Sequence, residues 1–273
     1  MSKNLIFFKM QIGKYVCNVV SAGSWMGDGG AAMGVMPKAL WKKLLPCDNK
    51  NRIPLALNSL LIQTAGKNIL IDTGIGNKLS PKKKEIYQAS DFDLLENLHK
   101  LDLKREEIDY VILTHLHFDH AGGVVTNFAG KPELTFPNAI HVFQKAEWEI
   151  AQNPDELNKA SYNFKDDLQL LNESGKYKVI EGDYELLPGV KIERTGGHSE
   201  GMQVVRMESD GELAYYAGDI IPMQSLKHLA VNSAFEICRK DSFIAKKKIL
   251  TELKNRNGIL FYAHDSQRLW ERM

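Results

Sequence analysis

Two rhythms of apolar residues alternate along the chain. Tyr110-Val111-Ile112-Leu113 is a short unbroken apolar run, the mark of a buried strand over 110–114. Strands are also predicted from Ile6 to Met10, Lys14 to Val20, Leu55 to Thr64, Asn68 to Asp72 and Ala139 to Phe143. The Leu55 and Asn68 strands form a hairpin through Ala65-Gly66-Lys67. In the second half the same reading gives strands near 177–180, 190–194, 202–208, 213–218 and 258–262. Helical spacing marks 91–101, 144–151 and 241–255. Hairpins mixed with crossovers in two similar halves fit two sheets between outer helices, one large α/β domain over residues 1–273.

The segment from Ser21 to Pro37 breaks the rhythm. Its glycines argue against a regular element, and no Gly-Lys-Ser/Thr follows to make a phosphate loop. Trp25, Met26, Met33 and Met36 give residues 21–47 the character of an apolar flap, either lining a cleft or packing on the sheet or a second subunit.

Composition narrows the class. With 273 residues, 44% hydrophobic, the chain can bury a full core. A formal charge of +1 gives no electrostatic case for nucleic acid, and the runs Lys82-Lys83-Lys84 and Lys246-Lys247-Lys248 read as solvated faces. No stretch is long and apolar enough for a membrane span, and the opening Met1 to Met10 is a poor signal peptide because charge breaks its apolar run. Cys17, Cys47 and Cys238 are odd in number and far apart, which points to a reduced, cytoplasmic setting. A monomer or homodimer is expected.

The chemistry is concentrated in Thr114-His115-Leu116-His117-Phe118-Asp119-His120. Three imidazoles and a carboxylate directly after a buried strand are hard to explain as packing and point to metal. If the chain leaves the sheet at His115, then His115 and His117 face one pocket while Asp119 and His120 approach a second, so two adjacent ions are expected. Gly122 and Gly123 fit a tight bend beneath the site before a helix. Further candidate ligands follow other predicted strands: His198 after Val190-Lys191-Ile192-Glu193, Asp219 after Leu213 to Gly218, and His264 after Gly258 to Ala263. His141 alternates with apolar neighbours and is read as facing solvent or a polar layer, and His99 as part of a charged helix face. Met223 and His228 follow Asp219 and are candidate substrate contacts.

The His115, His117, Asp119, His120 motif, with His198, Asp219 and His264 in order and the loop Leu70-Ile71-Asp72-Thr73-Gly74, resembles the metallo-β-lactamase superfamily over roughly residues 50–270. The resemblance implies a four-layer αβ/βα sandwich with metals at one edge of two mixed sheets. It implies one ion on His115, His117 and His198, a second on Asp119, His120 and His264, and Asp219 as the bridge. Zinc is the default for such a shell, with manganese, iron or cobalt as alternatives. Asp72 is expected either to support the motif loop or a histidine N–H, or to be an ordinary turn carboxylate.

The implied activity is hydrolysis by hydroxide held between the metals, with Asp119 orienting the water and carrying a proton to the leaving group. The chain has no length for the flavin domain of the oxygen-reducing members and stops at Met273, short of the helical region that follows the last metal histidine in glyoxalase II-like thioesterases. Asp219 stands where class B β-lactamases commonly carry cysteine. Phe118, Ala121-Gly122-Gly123, the apolar flap and Phe261-Tyr262-Ala263-His264-Asp265 look most like N-acyl homoserine lactone hydrolases, so a small lactone is the expected substrate. One departure is Pro222, where quorum-quenching lactonases often place a tyrosine three residues after the bridging aspartate. Phosphodiester, organophosphate or thioester hydrolysis and a non-catalytic metal-binding role are the alternatives.

Overall fold

The computed structural model describes residues 8–64 and 66–273. The strands are β1 (Phe8–Ile12), β2 (Tyr15–Asp28), β3 (Arg52–Thr64), β4 (Lys67–Ile71), β5 (Tyr110–Ile112), β6 (Val125–Phe128), β7 (Lys131–Leu134), β8 (Ile140–Gln144) and β9 (Tyr177–Ile180). The series continues with β10 (Tyr184–Leu187), β11 (Val190–Arg194), β12 (Gln203–Ser209), β13 (Glu212–Tyr216), β14 (Ile259–Phe261) and β15 (Trp270–Arg272). One sheet runs β1-β2-β3-β4-β5-β8-β9 and the other β10-β11-β12-β13-β14-β15, with β6-β7 as a separate hairpin. Both large sheets are mixed: β4, β5, β8 and β9 pair in parallel, as do β13 and β14, and the remaining pairs are antiparallel.

The period of two along each strand builds the layers. Leu60, Ile62, Ile71 and Ile112 from the first sheet pack against Ile192, Val205, Tyr216 and Phe261 from the second in one central core. Their neighbours Leu61, Leu70 and Val111 point outward and are covered by Leu94, Leu98, Trp148 and Leu171. On the other side Val204, Leu213, Tyr215 and Leu260 are covered by Ala245, Ile249 and Leu253 of the helix Arg239–Arg256. Helix, sheet, sheet and helix follow in order, the four-layer αβ/βα sandwich.

Several expectations are corrected. The glycine-rich segment does not abandon regular structure: β2 runs through it to Asp28, paired with β3 from Val16↔Gln63 to Asp28↔Arg52, with an irregularity between Ser21 and Ser24. A continuous partner strand supplies the ladder bonds that offset the glycine cost. The first strand was expected from Ile6, but Ile6 and Phe7, like most of the Met1–Met10 opening and Ala65 of the hairpin turn, lie outside the described residues. The helix expected at 91–101 is confined to Leu94–His99. Lys246 is not on a solvated face; it is buried and donates to the carbonyls of Leu226 and Val231 and to Asn232 Oδ1, while Lys247 and Lys248 are exposed. His141 is buried, not turned to solvent. Its Nδ1 sits 3.2 Å from the Lys176 carbonyl, and burial pushes its pKa down to about 4.

Candidate metal centre

Every candidate ligand lies just beyond the C-terminal end of a strand, and those ends meet at one edge of the sandwich. The central strand β5 ends before His115, β11 before the loop to His198, β13 before Asp219 and β14 before His264. Backbone bonds lock the edge: Thr73 N to His120 O (2.8 Å), Gln203 N to Thr114 O (2.9 Å), His264 N to Pro222 O (2.8 Å) and Ala56 N to His264 O (3.0 Å). Gly122 and Gly123 sit at the end of the short helix Phe118–Ala121, not before one. A side chain on either would run into the carbonyls of Ile75 or Thr73, so these glycines let the motif loop lie directly on the Asp72-Thr73-Gly74 turn.

Three sets of ligand atoms converge: His115, His117 and His198; His115, His120 and Asp219; and Asp119, His120 and His264, with the atoms of each set within 4.8 Å of one another. His198 Nε2 lies 3.1 Å from His117 Nδ1 and 3.2 Å from Asp219 Oδ2. His120 Nε2 lies 3.0 Å from His264 Nε2, and Asp219 Oδ1 is 3.3 Å and 3.1 Å from those two nitrogens. Asp219 thus reaches both groups through its two oxygens. Asp119 Oδ2 stands at the outer side, 3.6 Å from His264 Nε2 and 3.9 Å from His120 Nε2.

Two observations test whether this donor set suits cations. The buried atoms His115 Nε2 and Asp219 Oδ1 have no hydrogen-bond partner, although unpaired buried polar atoms are costly. Second, the carboxylates at the centre favour positive charge beside them. Burial, reinforced by the neighbouring imidazoles, pushes His115 and His117 well below the usual histidine range, leaving neutral rings with free lone pairs. Burial acts the same way on His198, but Asp219 and Glu236 outweigh it and raise that ring to about 9. His120 is likewise carried well up by Asp219, Asp72 and Asp119, against burial. Burial would raise Asp219, yet His264, His120 and His198 hold it well below the carboxylate range. The donor set of imidazoles with one shared carboxylate fits two divalent ions.

Asp72 is no ordinary turn carboxylate. It accepts from Thr114 N (2.8 Å) and from the Tyr216 hydroxyl (3.2 Å), and its Oδ2 lies 2.8 Å from His120 Nδ1. Glu147 escaped sequence reasoning. It is fully buried and accepts from Leu116 N (3.0 Å), the Tyr162 hydroxyl (2.7 Å), Ser199 Oγ (2.7 Å) and Gly201 N (3.1 Å), tying the His115–His117 loop to the His198 loop. Its only sequence signal was a carboxylate in an otherwise amphipathic helix.

The centre opens into a cleft of about 1100 Å³. Trp25, Leu55, Phe118, Met223 and Leu226 form its apolar wall. Trp25 stacks edge-on against Phe118 and Tyr87, at 5.8 Å and 5.4 Å between ring centres. Met33 instead packs in a buried cluster with Trp41, Ile53 and Met223, and Met36 packs against its outside. Met26 is half-buried and does not line the cleft. His228 is exposed and also away from the cleft, its Nδ1 accepting from Ala230 N, because the chain turns outward after Leu226.

Residues 52–242 match the family model for the metallo-beta-lactamase superfamily. The chain belongs to this superfamily. A Bacillus sp. N-acyl homoserine lactonase is 30% identical over 224 residues, 76% of this chain and 80% of that protein. A Bacillus cereus N-acyl homoserine lactonase is 34% identical over 172 residues, an alignment that spans only 61% of its length and 59% of this chain. Among solved structures, a probable metal-dependent hydrolase from Staphylococcus aureus superposes with a TM-score of 0.90 at 33% identity, covering 96% of this chain and 93% of the other. A dizinc quorum-quenching lactonase shares the fold, with a TM-score of 0.78 at 23% identity, covering 97% and 92%. The superfamily fold and the paired His/Asp clusters make this chain a metal-dependent hydrolase that takes two divalent ions.

Proposed function

We propose that the chain opens lactones by hydrolysis and that N-acyl homoserine lactones are the substrate class it fits best. The observation that carries this reading is the junction of the buried His/Asp centre with an apolar cleft wall whose charged rim is almost wholly acidic. Among the described residues lining the cleft, Arg194 is the one Lys or Arg, and its guanidinium is already bonded to the Glu200 carbonyl. Asp155, Glu200 and Asp241 surround the same mouth. A neutral cyclic ester with an apolar tail enters such a cleft more readily than an anionic phosphodiester. The N-acyl homoserine lactonase relatives support the same choice. Zinc is the favoured ion.

His115, His117 and His198 would hold one ion, Asp119, His120 and His264 the other, and Asp219 both. When bound, the pair supplies a water of lowered pKa and polarises the ester carbonyl. The chain's own groups do the rest. Trp25, Leu55, Phe118, Met223 and Leu226 hold the acyl chain and exclude water. Asp119, partly exposed at the cleft floor, orients the attacking water, takes its proton, and returns that proton to the ring oxygen as the acyl C–O bond breaks. The product hydroxy acid then ionises.

Among the described residues lining the cleft there is no tyrosine to stand in for the one replaced by Pro222. The hydroxyls of Tyr215, Tyr216 and Tyr262 are spent on Glu252, Asn58 O and Glu271. The test is acid release by pH-stat from acyl homoserine and simple γ- and δ-lactones beside aryl phosphodiesters and thioesters. Preference for acyl lactones by metal-loaded protein is expected; preference for phosphodiesters would refute the reading.

A further inference from the structure

His198 presents Nε2 to the centre and turns Nδ1 away from it, toward the chain that covers the cleft. Nδ1 lies 3.4 Å from Glu236 Oε1. Glu236 belongs to residues 227–238, a strap that runs from the turn at Leu226 to the start of the helix Arg239–Arg256. Ser233, Phe235, Glu236 and Ile237 of this strap form part of the cleft wall. The strap is tied down along its length. Ala234 N donates to Ala31 O (2.8 Å), Cys238 N donates to Gly197 O (2.9 Å), and the buried Lys246 ammonium holds the carbonyl of Val231 (2.7 Å). Gly197, at φ +94, allows the close approach, since a side chain there would strike the backbone of Ser242.

The Glu236 carboxylate is 4% exposed. Burying a carboxylate so deeply is costly unless its oxygens are satisfied. Three groups meet that need: Ser233 Oγ at 3.0 Å, Ser242 Oγ in a short contact, and the His198 ring. The two hydroxyls fix where the carboxylate sits, and the carboxylate in turn fixes the ring. Its counterpart across the centre is Asp72 against His120 Nδ1, whereas His264 Nδ1 meets the Ala56 carbonyl at 2.7 Å.

We propose that Glu236 is the positioning residue of the three-histidine half of the centre. It holds the proton of His198 on Nδ1 and sets the ring plane so that Nε2 offers its lone pair to the ion. Retention of that ion is thereby coupled to the seating of the strap over the cleft. The inference rests on the dinuclear reading above and assigns to a cleft-wall residue a role in metal retention.

The test is zinc competition against a chromophoric chelator, with hydrogen exchange followed in residues 227–238. Wild-type protein is expected to take up two ions and to slow exchange in the strap as they bind. Glu236→Ala is expected to weaken one ion by about 10–100-fold, leave the other unchanged, and lose the zinc-dependent protection. Glu236→Gln keeps an oxygen acceptor for Nδ1–H and is expected to recover most of the affinity. Ser233→Ala, which removes one holder of the carboxylate, is expected to shift the same ion by less. Wild-type affinity for both ions in Glu236→Ala, or equal weakening of both without rescue by glutamine, would overturn the assignment. Failure of the wild-type protein to bind zinc would instead refute the dinuclear reading on which it depends.

Discussion

Asp119 carries the most specific chemical claim at the scale of single residues. It stands at the outer side of the centre, facing the cleft, with Oδ2 3.6 Å from His264 Nε2. The neighbouring histidines are buried in the cluster and Asp219 is shared between its two groups, so the proposed proton carrier is Asp119, which lines the cleft. Asp119→Asn keeps the shape and an oxygen donor but cannot accept and return a proton. Turnover is expected to fall by about 10²-fold or more with both ions retained. A fully metallated variant with near-normal rate would contradict the proton-transfer role. Of the residues that converge at the centre, His115, His117, Asp119 and His120 were legible in sequence because their spacing is local, and His198, Asp219 and His264 because each follows a predicted strand in the order of the family motif. Glu147 and Glu236 were not, since each acts on residues far along the chain: Glu147 on Ser199, Glu236 on His198. Nothing next to either residue announces that contact.

At the scale of elements, the site depends on how strand ends are spaced, and Glu147 is the strut that spaces two of them. Four donors from three segments end on one buried carboxylate. Glu147→Ala would strand those donors away from water, at a cost on the order of 3–5 kcal/mol. A lowered urea midpoint together with weaker binding at the three-histidine half is expected; unchanged midpoint and zinc affinity would show that the loops hold their spacing without it. Strand positions were legible where alternation was strong, as in β11 (Val190–Arg194), found as expected, and β3, found slightly longer. Short edge elements such as β10 and β15, and the hairpin β6-β7, carry too little apolar pattern to stand out. The flap failed as a loop for the opposite reason: pairing with β3 imposed a strand on residues whose local preference is weak.

At the scale of the whole molecule, the sandwich brings residues from both halves of the chain to one edge, and the outer helices brace what lies over it. Lys246 shows how this bracing responds to pH. It lies on the inner side of the helix Arg239–Arg256 and holds up the Leu226–Asn232 segment. Burial lowers its pKa from 10.5 to about 8, with Glu236 pulling it back upward. Between these values the unfolded chain holds a proton that the folded chain has released. Stability on this account therefore rises as pH climbs through that window, by up to about 3 kcal/mol, and below it the burial penalty is fully present. Urea unfolding of wild-type and Lys246→Met proteins at about pH 7 and about pH 10 is expected to show the wild type gaining on the variant at the higher pH. A difference independent of pH would contradict this. Two sheets between outer helices followed from the mix of hairpins and crossovers along the sequence, and the four-layer order from the resemblance to the superfamily. The buried lysine did not, because a Lys-Lys-Lys run on a helix gives no sign of which one turns inward.

The central claim is that this edge of the sandwich is a two-ion centre that opens lactones. The most direct measurement is a titration of metal-stripped protein with zinc while acid release from an N-acyl homoserine lactone is followed. Turnover should be absent at the start and rise to a plateau at two equivalents of zinc. Equal turnover by stripped and loaded protein, or full loading with two ions and no lactone opened, would contradict the account.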